Sequence, residues 1–456
     1  MAQSLDSSSF WLHVLIVLEF EVPVPHLHLI SCIKSLLSIP RFDSILVRDG
    51  SGDRRWERVE VKLEDHIIEP TISWESMSED EYAKCFSDYL SHISTPQLPH
   101  SKPLWEVHVI NSSITTLVLK VHHSIGDGYT LMSVLLSWLK RADDPSSPVT
   151  FPSLLKSSKT MTLSDQPFLS RIPSFVPNIY TSIKDFGWSL LKSTHDEDDK
   201  TPIRSGQEGV EFQPATLSSI TFPVDHIKNI KSKLGVTVND VLTGIISYAI
   251  RLYMQDVDYS SRTKKCTLLP MLNMRNVESY ETKENNMRTG IDRKGTWGNK
   301  FTYTHVPVPE LTDTLVSDPL QFVWEAHHSM KMKKRGHLVY SLLSMFLQME
   351  HEFSGPEAVG KHFHKTMRNS SVLISNMVGP SDQLAMAHFP IKSLYFTLSG
   401  VPQSLVITIT SYMGILRVTT RAEEGFMDQK KLASYVNYAF EMIHKAAMEI
   451  PYKTKL

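Results

Sequence analysis

The chain has 456 residues, too long for one ordinary core and enough for two domains of about 200 residues each. Hydrophobic residues make up 41% and charged residues 21%, so it folds, and a net charge of −2 excludes the basic excess of a nucleic-acid binder. Cys32, Cys85 and Cys266 lie far apart, which excludes a disulfide framework or a zinc ribbon and points to a reducing compartment.

No stretch reaches the roughly 18 apolar residues of a membrane span. The nearest is FWLHVLIVLEF at 10–20, which contains His13 and is stopped by Glu19. The start MAQSLDSSS has no basic residue and no small-residue cleavage site follows, so this run reads as a buried first strand, not a signal-peptide core. DEYAKCFSDYLSHI at 80–93 reads as a helix, and LWEVHVI and TTLVLKVHH read as strands. YTLMSVLLSWLKR at 129–141 reads as the helix after them.

STHDEDDKTPIRSGQEG at 193–209 is charged, contains Gly and Pro, and has little apolar content. Its composition predicts a linker over 193–213 between domains at 1–192 and 214–456. The second unit opens with the strand LSSITFPV and a helix ending at Gly235. Val238, Val241, Leu242, Ile245, Ile246 and Ala249 then follow helical spacing behind a Thr237–Asp240 capping pair. Strands are expected at 265–272, 370–379, SLVITITSYM and LRVTTRA, and a closing helix at 428–447. The alternation is α/β, and the late hairpin-like pairs imply mixed sheets.

The chemistry-bearing stretch is VHHSIGDGYTL at 121–131. A strand delivers His122 and His123 to its C-terminal end, where α/β proteins place ligands. Histidine removes protons near neutral pH, and Asp127 could hold the loop and set a ring's orientation. Gly128 lets a long substrate arm pass the backbone closely. Adjacent strand residues point to opposite faces, so one histidine faces the substrate and the other faces inward.

HHSIGDG resembles the signature of the CoA-dependent acyltransferase superfamily. PLWEVHVI at 103–110, VNDVLTGIISYAI at 238–250 and ISNMVGP at 374–380 resemble, in order, the Pro-Leu-Trp, Asn-Asp and Asn-x-x-Gly-Pro blocks of wax ester synthase/diacylglycerol acyltransferases. LPMLNMR and WGNKF resemble the plant branch. The resemblance implies two similar chloramphenicol-acetyltransferase-like α/β domains with mixed sheets, joined by a crossover linker, with an active-site tunnel between them. It implies direct acyl transfer from acyl-CoA to a fatty alcohol or diacylglycerol, giving wax esters or triacylglycerol. His123 matches the general base, His122 its support, and Asp127 an orienting residue. No bound cofactor or metal is implied, acyl-CoA being the donor substrate. The expected setting is peripheral attachment at the cytosolic face of the endoplasmic reticulum membrane or the plasma membrane.

The thioester oxygen gains charge in the transition state and needs a donor. Asn239, at a helix N-terminus, is one candidate; the alternative is that Asn239 and Asp240 only cap that helix and hold the domains together. Family members usually carry a further segment ahead of the first strand, whereas about nine residues precede it here, so an incomplete acceptor pocket is expected. Two other readings stand beside an acyltransferase of fatty alcohols. One is a soluble plant acyltransferase of phenolics or amines, which also shares His-x-x-x-Asp-Gly; its second motif finds only DFGWS at 185–189, read as coincidence. The other is a non-catalytic lipid-binding member. KMKKR at 331–335 reads as a solvated helix face, the alternative being contact with CoA phosphates or anionic lipid heads. His327–His328 and HFH at 362–364 lack neighbouring metal-ligand partners, and Gly379–Pro380 ends a strand.

Overall fold

A computed structural model describes residues 6–7, 10–48, 54–149, 187–273, 299, 301–311, 318–335 and 337–450. The first half runs β1 (Asp6–Ser7), β2 (Phe10–Trp11), β3 (His13–Phe20), α1 (His26–Ser35), β4 (Ser44–Arg48), β5 (Arg54–Arg58), β6 (Ile67–Ile68), α2 (Glu79–Ser94), β7 (Trp105–Asn111), β8 (Thr115–His122), α3 (Gly128–Trp138) and β9 (Lys140–Arg141). Helix α4 covers 187–194. Then come β10 (Ala215–Pro223), α5 (Val224–Leu234), α6 (Val238–Val257), β11 (Thr267–Asn273), β12 (Phe301–Tyr303), β13 (Val306–Pro307), α7 (Leu320–Arg335) and α8 (His337–Arg368). The chain closes with β14 (Val372–Val378), β15 (Leu384–Met386), β16 (Phe389–Ser399), β17 (Leu405–Tyr412), β18 (Ile415–Glu423) and α9 (Gln429–Glu449).

Two seven-stranded sheets carry the molecule. The first has the order β6-β7-β8-β3-β16-β15-β9; the second runs β10-β18-β17-β14-β11-β12, with β13 also on β11. Both mix parallel and antiparallel pairs: β6–β7, β11–β14 and β14–β17 are parallel. The expected pair of mixed-sheet α/β units is therefore present. The boundary is not a clean cut at 213, because β15 and β16 leave the second half and complete the first sheet, β16 pairing with β3 along nearly its whole length. Those partners lie more than 370 residues apart, which no local pattern encodes.

Alternation on β3 explains its two packing faces. Leu12, Val14, Ile16 and Leu18 join α1, α3 and residues Leu269, Leu373 and Val406 of the second sheet in one core. Leu15 and Val17 face α2 through Phe86, Leu90 and Ile93. The other face of the second sheet buries α5, α6, α7 and α9. The apolar positions predicted for α6 fit this burial, and the helix starts with a reciprocal Thr237–Asp240 capping box.

The 193–213 stretch is a connector by position, yet it is firmly packed. Asp198 is fully buried and accepts from Lys192 Nζ (2.5 Å), Thr267 N (2.7 Å) and Ser371 Oγ (2.6 Å). Arg204 donates to the Asp198 and Arg368 carbonyls. Asp198 and Arg204 thus fix the segment beside the second sheet, so it is not the loose linker that its composition predicts.

Candidate active site

β8 is an interior strand of the first sheet, between β7 and the central β3, and ends at His122, so the two histidines leave the sheet beside its central strand. Asp127 then accepts from the Thr130 backbone N–H (3.0 Å) and hydroxyl (2.9 Å), capping α3. Gly126 is needed for close approach: a Cβ there would stand 2.5 Å from Thr130 Cγ2. Gly128 differs, since a Cβ would meet only Met377 Sδ at 3.6 Å, an ordinary contact. Packing therefore does not demand glycine at 128, where a Cβ would touch Met377 and meet no other atom within 4 Å.

His122 and His123 have separate surroundings. His122 stands beside His13, its cross-strand partner, with ring centroids 5.3 Å apart. Its Nδ1 receives the Ser124 backbone N–H at 3.2 Å and lies 2.8 Å from the Ser124 hydroxyl. An N–H only donates, so this Nδ1 is an acceptor and the neutral ring carries its proton on Nε2. His13 is fully buried, and its basicity is pushed well below the ordinary histidine value by burial, then by His122 and Lys120.

His123 contacts the second half of the chain. Its ring is 5.4 Å from Phe301, and Asn299 brackets it. Asn299 Nδ2 donates to the His123 carbonyl at 2.9 Å, which fixes the amide's orientation. Asn299 Oδ1 then lies 2.8 Å from His123 Nδ1 and can only accept. The proton of neutral His123 is thus on Nδ1, and the lone pair is on Nε2. Burial lowers the pKa of His123 from the usual value; the charge of Asp127 and the Asn299 bond oppose this more weakly. The ring is held neutral near pH 7, in the tautomer that accepts a proton at Nε2.

Asn299 was not singled out by sequence reasoning, although it lies inside WGNKF. Its signal is long-range: the partner is 176 residues away. Trp297, Gly298 and Lys300 of that stretch, and Asp185 and Phe186 of DFGWS, lie outside the described residues. Ser189 of DFGWS, on α4, is 3.3 Å from His305 Nδ1.

Asn239 makes no hydrogen bond to His123. Its Oδ1 accepts from Asn376 Nδ2 at 2.6 Å, so the Asn-Asp and Asn-x-x-Gly-Pro blocks meet. The cap of α6 is supplied by Thr237 and Asp240, not by Asn239. Asp240 also pairs with His327 Nδ1 at 2.7 Å, tying α7 to α6; its carboxylate comes from far along the chain, invisible to local spacing. β14 joins the two motif regions, because Asn376 holds Asn239 while the next residue, Met377, borders Gly128. Among the described residues no group of three His, Cys, Asp or Glu side chains could hold a metal.

Chemically, the arrangement offers a neutral imidazole with a lone pair at Nε2 and, across β14, a side-chain amide whose N–H₂ can donate. Family profiles match residues 56–242 as "wax ester synthase/diacylglycerol acyltransferase catalytic domain" and 297–444 as "WS/DGAT C-terminal domain". The chain is 26% identical over 442 residues to wax ester synthase/diacylglycerol acyltransferase 11 of Arabidopsis thaliana, covering 91% of this chain and 87% of that one. It is 25% identical over 465 residues to number 3 of the same plant, covering 98% and 93%. The solved wax ester synthase/diacylglycerol acyltransferase from Marinobacter aquaeolei VT8 superposes with a TM-score of 0.56 at 18% identity, over 96% of this chain and 95% of that one. The first condensation domain of the CDA synthetase superposes with a TM-score of 0.54 at 13% identity, over 98% and 94%, sharing the fold. With two profiles spanning most of both halves in order, the chain belongs to the wax ester synthase/diacylglycerol acyltransferase family.

Proposed function

We propose that the protein is an acyl-CoA-dependent O-acyltransferase that esterifies long-chain fatty alcohols, diacylglycerol or both, with His123 as general base. The observation that carries this reading is the Asn299–His123 pair, which leaves Nε2 as the proton acceptor. An alcohol does not ionise alone at pH 7, so a positioned base is required. His123 Nε2 takes the hydroxyl proton as the oxygen attacks the thioester carbonyl. The tetrahedral intermediate expels the CoA thiolate, which takes that proton back from Nε2. No acyl-enzyme forms. Asn239 Nδ2 is the donor for the developing oxyanion, its other end held by Asn376. His122 supports the loop through Ser124, and Asp127 caps α3 and lends its charge to His123.

Among the described residues no helix is long and apolar enough to cross a membrane. The proposed setting is peripheral, at the cytosolic face of the endoplasmic reticulum or the plasma membrane. The test is CoA release by purified protein given palmitoyl-CoA with hexadecanol, dipalmitoylglycerol or a phenolic acceptor, with lipid products resolved by thin-layer chromatography. Hexadecyl ester or triacylglycerol is expected. Phenolic ester alone, or no CoA release with any acceptor, would contradict the reading.

A further inference from the structure

Where β3, β16 and β18 meet, the fold buries a group of polar side chains that it does not pair. His13 and Ser399 are 0% exposed, Gln403 and Arg421 2%, and Trp11 5%. Among the described residues no hydrogen-bond partner meets Trp11 Nε1, either ring nitrogen of His13, Ser399 Oγ, either amide atom of Gln403, or Arg421 Nε and Nη2. Each unpaired buried group costs stability, and a charge costs most. Five such residues on one seam point to a ligand.

Register brings them together. Ser399 lies opposite His13 across the β16–β3 pair, and the Trp11 and His13 rings are 4.9 Å apart. Gly400 follows so close to Trp11 that a Cβ would stand 2.2 Å from its carbonyl oxygen. The 400–404 loop then enters β17, and Ser404, next to Gln403, accepts from the Glu423 backbone N–H. Arg421 is two residues before Glu423 and shares a strand face with Arg417. Arg417 stacks on Tyr395 and donates to Ser393 Oγ of β16. Thr419 pairs with Thr408, whose hydroxyl donates to the Phe396 carbonyl. β18 therefore runs beside β16 in the same direction and brings Arg421 level with Ser399. On the outer side Phe212, 52% exposed, lies 5.8 Å from Trp11, so the group sits one side chain below the surface.

The chemistry of the group is one-sided. An indole N–H and a guanidinium only donate, and the Gln403 amide, the Ser399 hydroxyl and a neutral His13 can each donate. Among the described residues no carboxylate offsets Arg421, whose pKa burial alone lowers to about 10. The neighbours that act on His13 are His122 and Lys120, again not acids, and the Lys120 charge is met by Glu106 at 3.2 Å. A buried guanidinium among further donors suits an acceptor with negative charge and several oxygens.

We propose that this seam is a phosphate site, in which Arg421 with Trp11, His13, Ser399 and Gln403 encloses one phosphate group, supplied by inorganic phosphate or by CoA. His13 is the cross-strand partner of His122, so the site lies on the His122 face of β8, away from His123. Its occupant takes no part in proton transfer; it ties β3 of the first sheet to β18 of the second. The site does not depend on the acyl-transfer reading.

The test is a thermal melt of the full-length protein at neutral pH in sodium gluconate at constant ionic strength. Sodium phosphate, sodium chloride, CoA or pantetheine is added to about 10 mM. Phosphate is expected to raise the wild-type Tm by about 3 °C or more. Arg421→Met is expected to ignore phosphate, and to melt no lower than wild type without it, because an uncompensated buried charge is gone. Gln403→Leu is expected to need about tenfold more phosphate. Arg417→Met, on the same strand face but bonded to Ser393, is expected to respond like wild type. A rise with CoA alone, absent with pantetheine and in Arg421→Met, assigns the site to a phosphate of CoA. No rise with phosphate or CoA in the wild type, or the same rise in Arg421→Met, overturns the proposal. An equal rise with chloride overturns the assignment to phosphate. Where Arg421→Met does not fold, the Gln403→Leu titration decides, and an unshifted curve overturns the proposal.

Discussion

The turn into α3 at 121–131 and the turn into α6 at 235–241 begin helices by the same chemistry and differ in what they leave available. In the first, Asp127 supplies the cap, and the histidines upstream carry no capping duty. In the second, Thr237 and Asp240 cap each other's backbone, and Asn239 between them is freed. One junction therefore presents a lone pair, at His123 Nε2, and the other presents an amide donor, at Asn239 Nδ2. β14 touches both turns on opposite faces, Asn376 holding Asn239 on one and Met377 bordering Gly128 on the other. A base and an oxyanion donor are the two groups that ester formation from a thioester requires. The comparison teaches that the capping residues inside each motif build the turn, and the residues they relieve are the ones proposed above for the chemistry.

Removing the donor from the second junction is the strongest way to break this comparison short of removing the base. Asn239→Ala is expected to lower kcat about 10²-fold, with KM for acyl-CoA little changed and the melting temperature near wild type, since the cap remains. A large loss of melting temperature with kcat intact would make Asn239 structural.

The tautomer claim gives a smaller effect with a sign. Asn299→Ala is expected to lower kcat about tenfold. His123 must be neutral to act, so activity is lost as pH falls through its pKa. The Asn299 bond raises that pKa against burial, so Asn299→Ala moves the acid limb of the kcat profile to lower pH. Asn299→Asp adds a negative charge and moves it to higher pH. Unmoved or same-direction limbs in both variants would remove Asn299 as a positioning residue.

The smallest effects contrast two glycines of one loop. Gly126→Ala is expected to lose about 1–3 kcal/mol in a thermal or denaturant melt, because its Cβ meets Thr130. Gly128→Ala is expected to melt like wild type, having room beside Met377. Equal destabilisation would show that the loop packs differently from the description here.

Much of this was legible in the sequence because it is local. The capping pair, the amphipathic positions of α6 and the strand ending in two histidines all lie within a few residues of one another, where periodicity and side-chain type suffice. The remainder depends on distance along the chain. Nothing near WGNKF points to a residue 176 positions earlier, so Asn299 appears only when the sheets close around His123. β16, at Phe389–Ser399, is not among the strands expected from the sequence, and its pairing with β3 is a long-range feature of the same kind. The 193–209 stretch misleads by composition: Asp198 and Arg204 look solvated, and their partners Thr267, Ser371 and Arg368 come from elsewhere in the second half.

The central claim is that His123, and not His122, moves the proton. It is tested most directly by CoA release and a thermal melt on His122→Ala and His123→Ala side by side. The account predicts that His123→Ala loses on the order of 10²–10⁴-fold in turnover while melting near wild type. His122→Ala, which removes the partner of Ser124 and His13, is predicted to melt lower and keep most of its turnover. A stable but inactive His122→Ala together with an active His123→Ala would contradict the account.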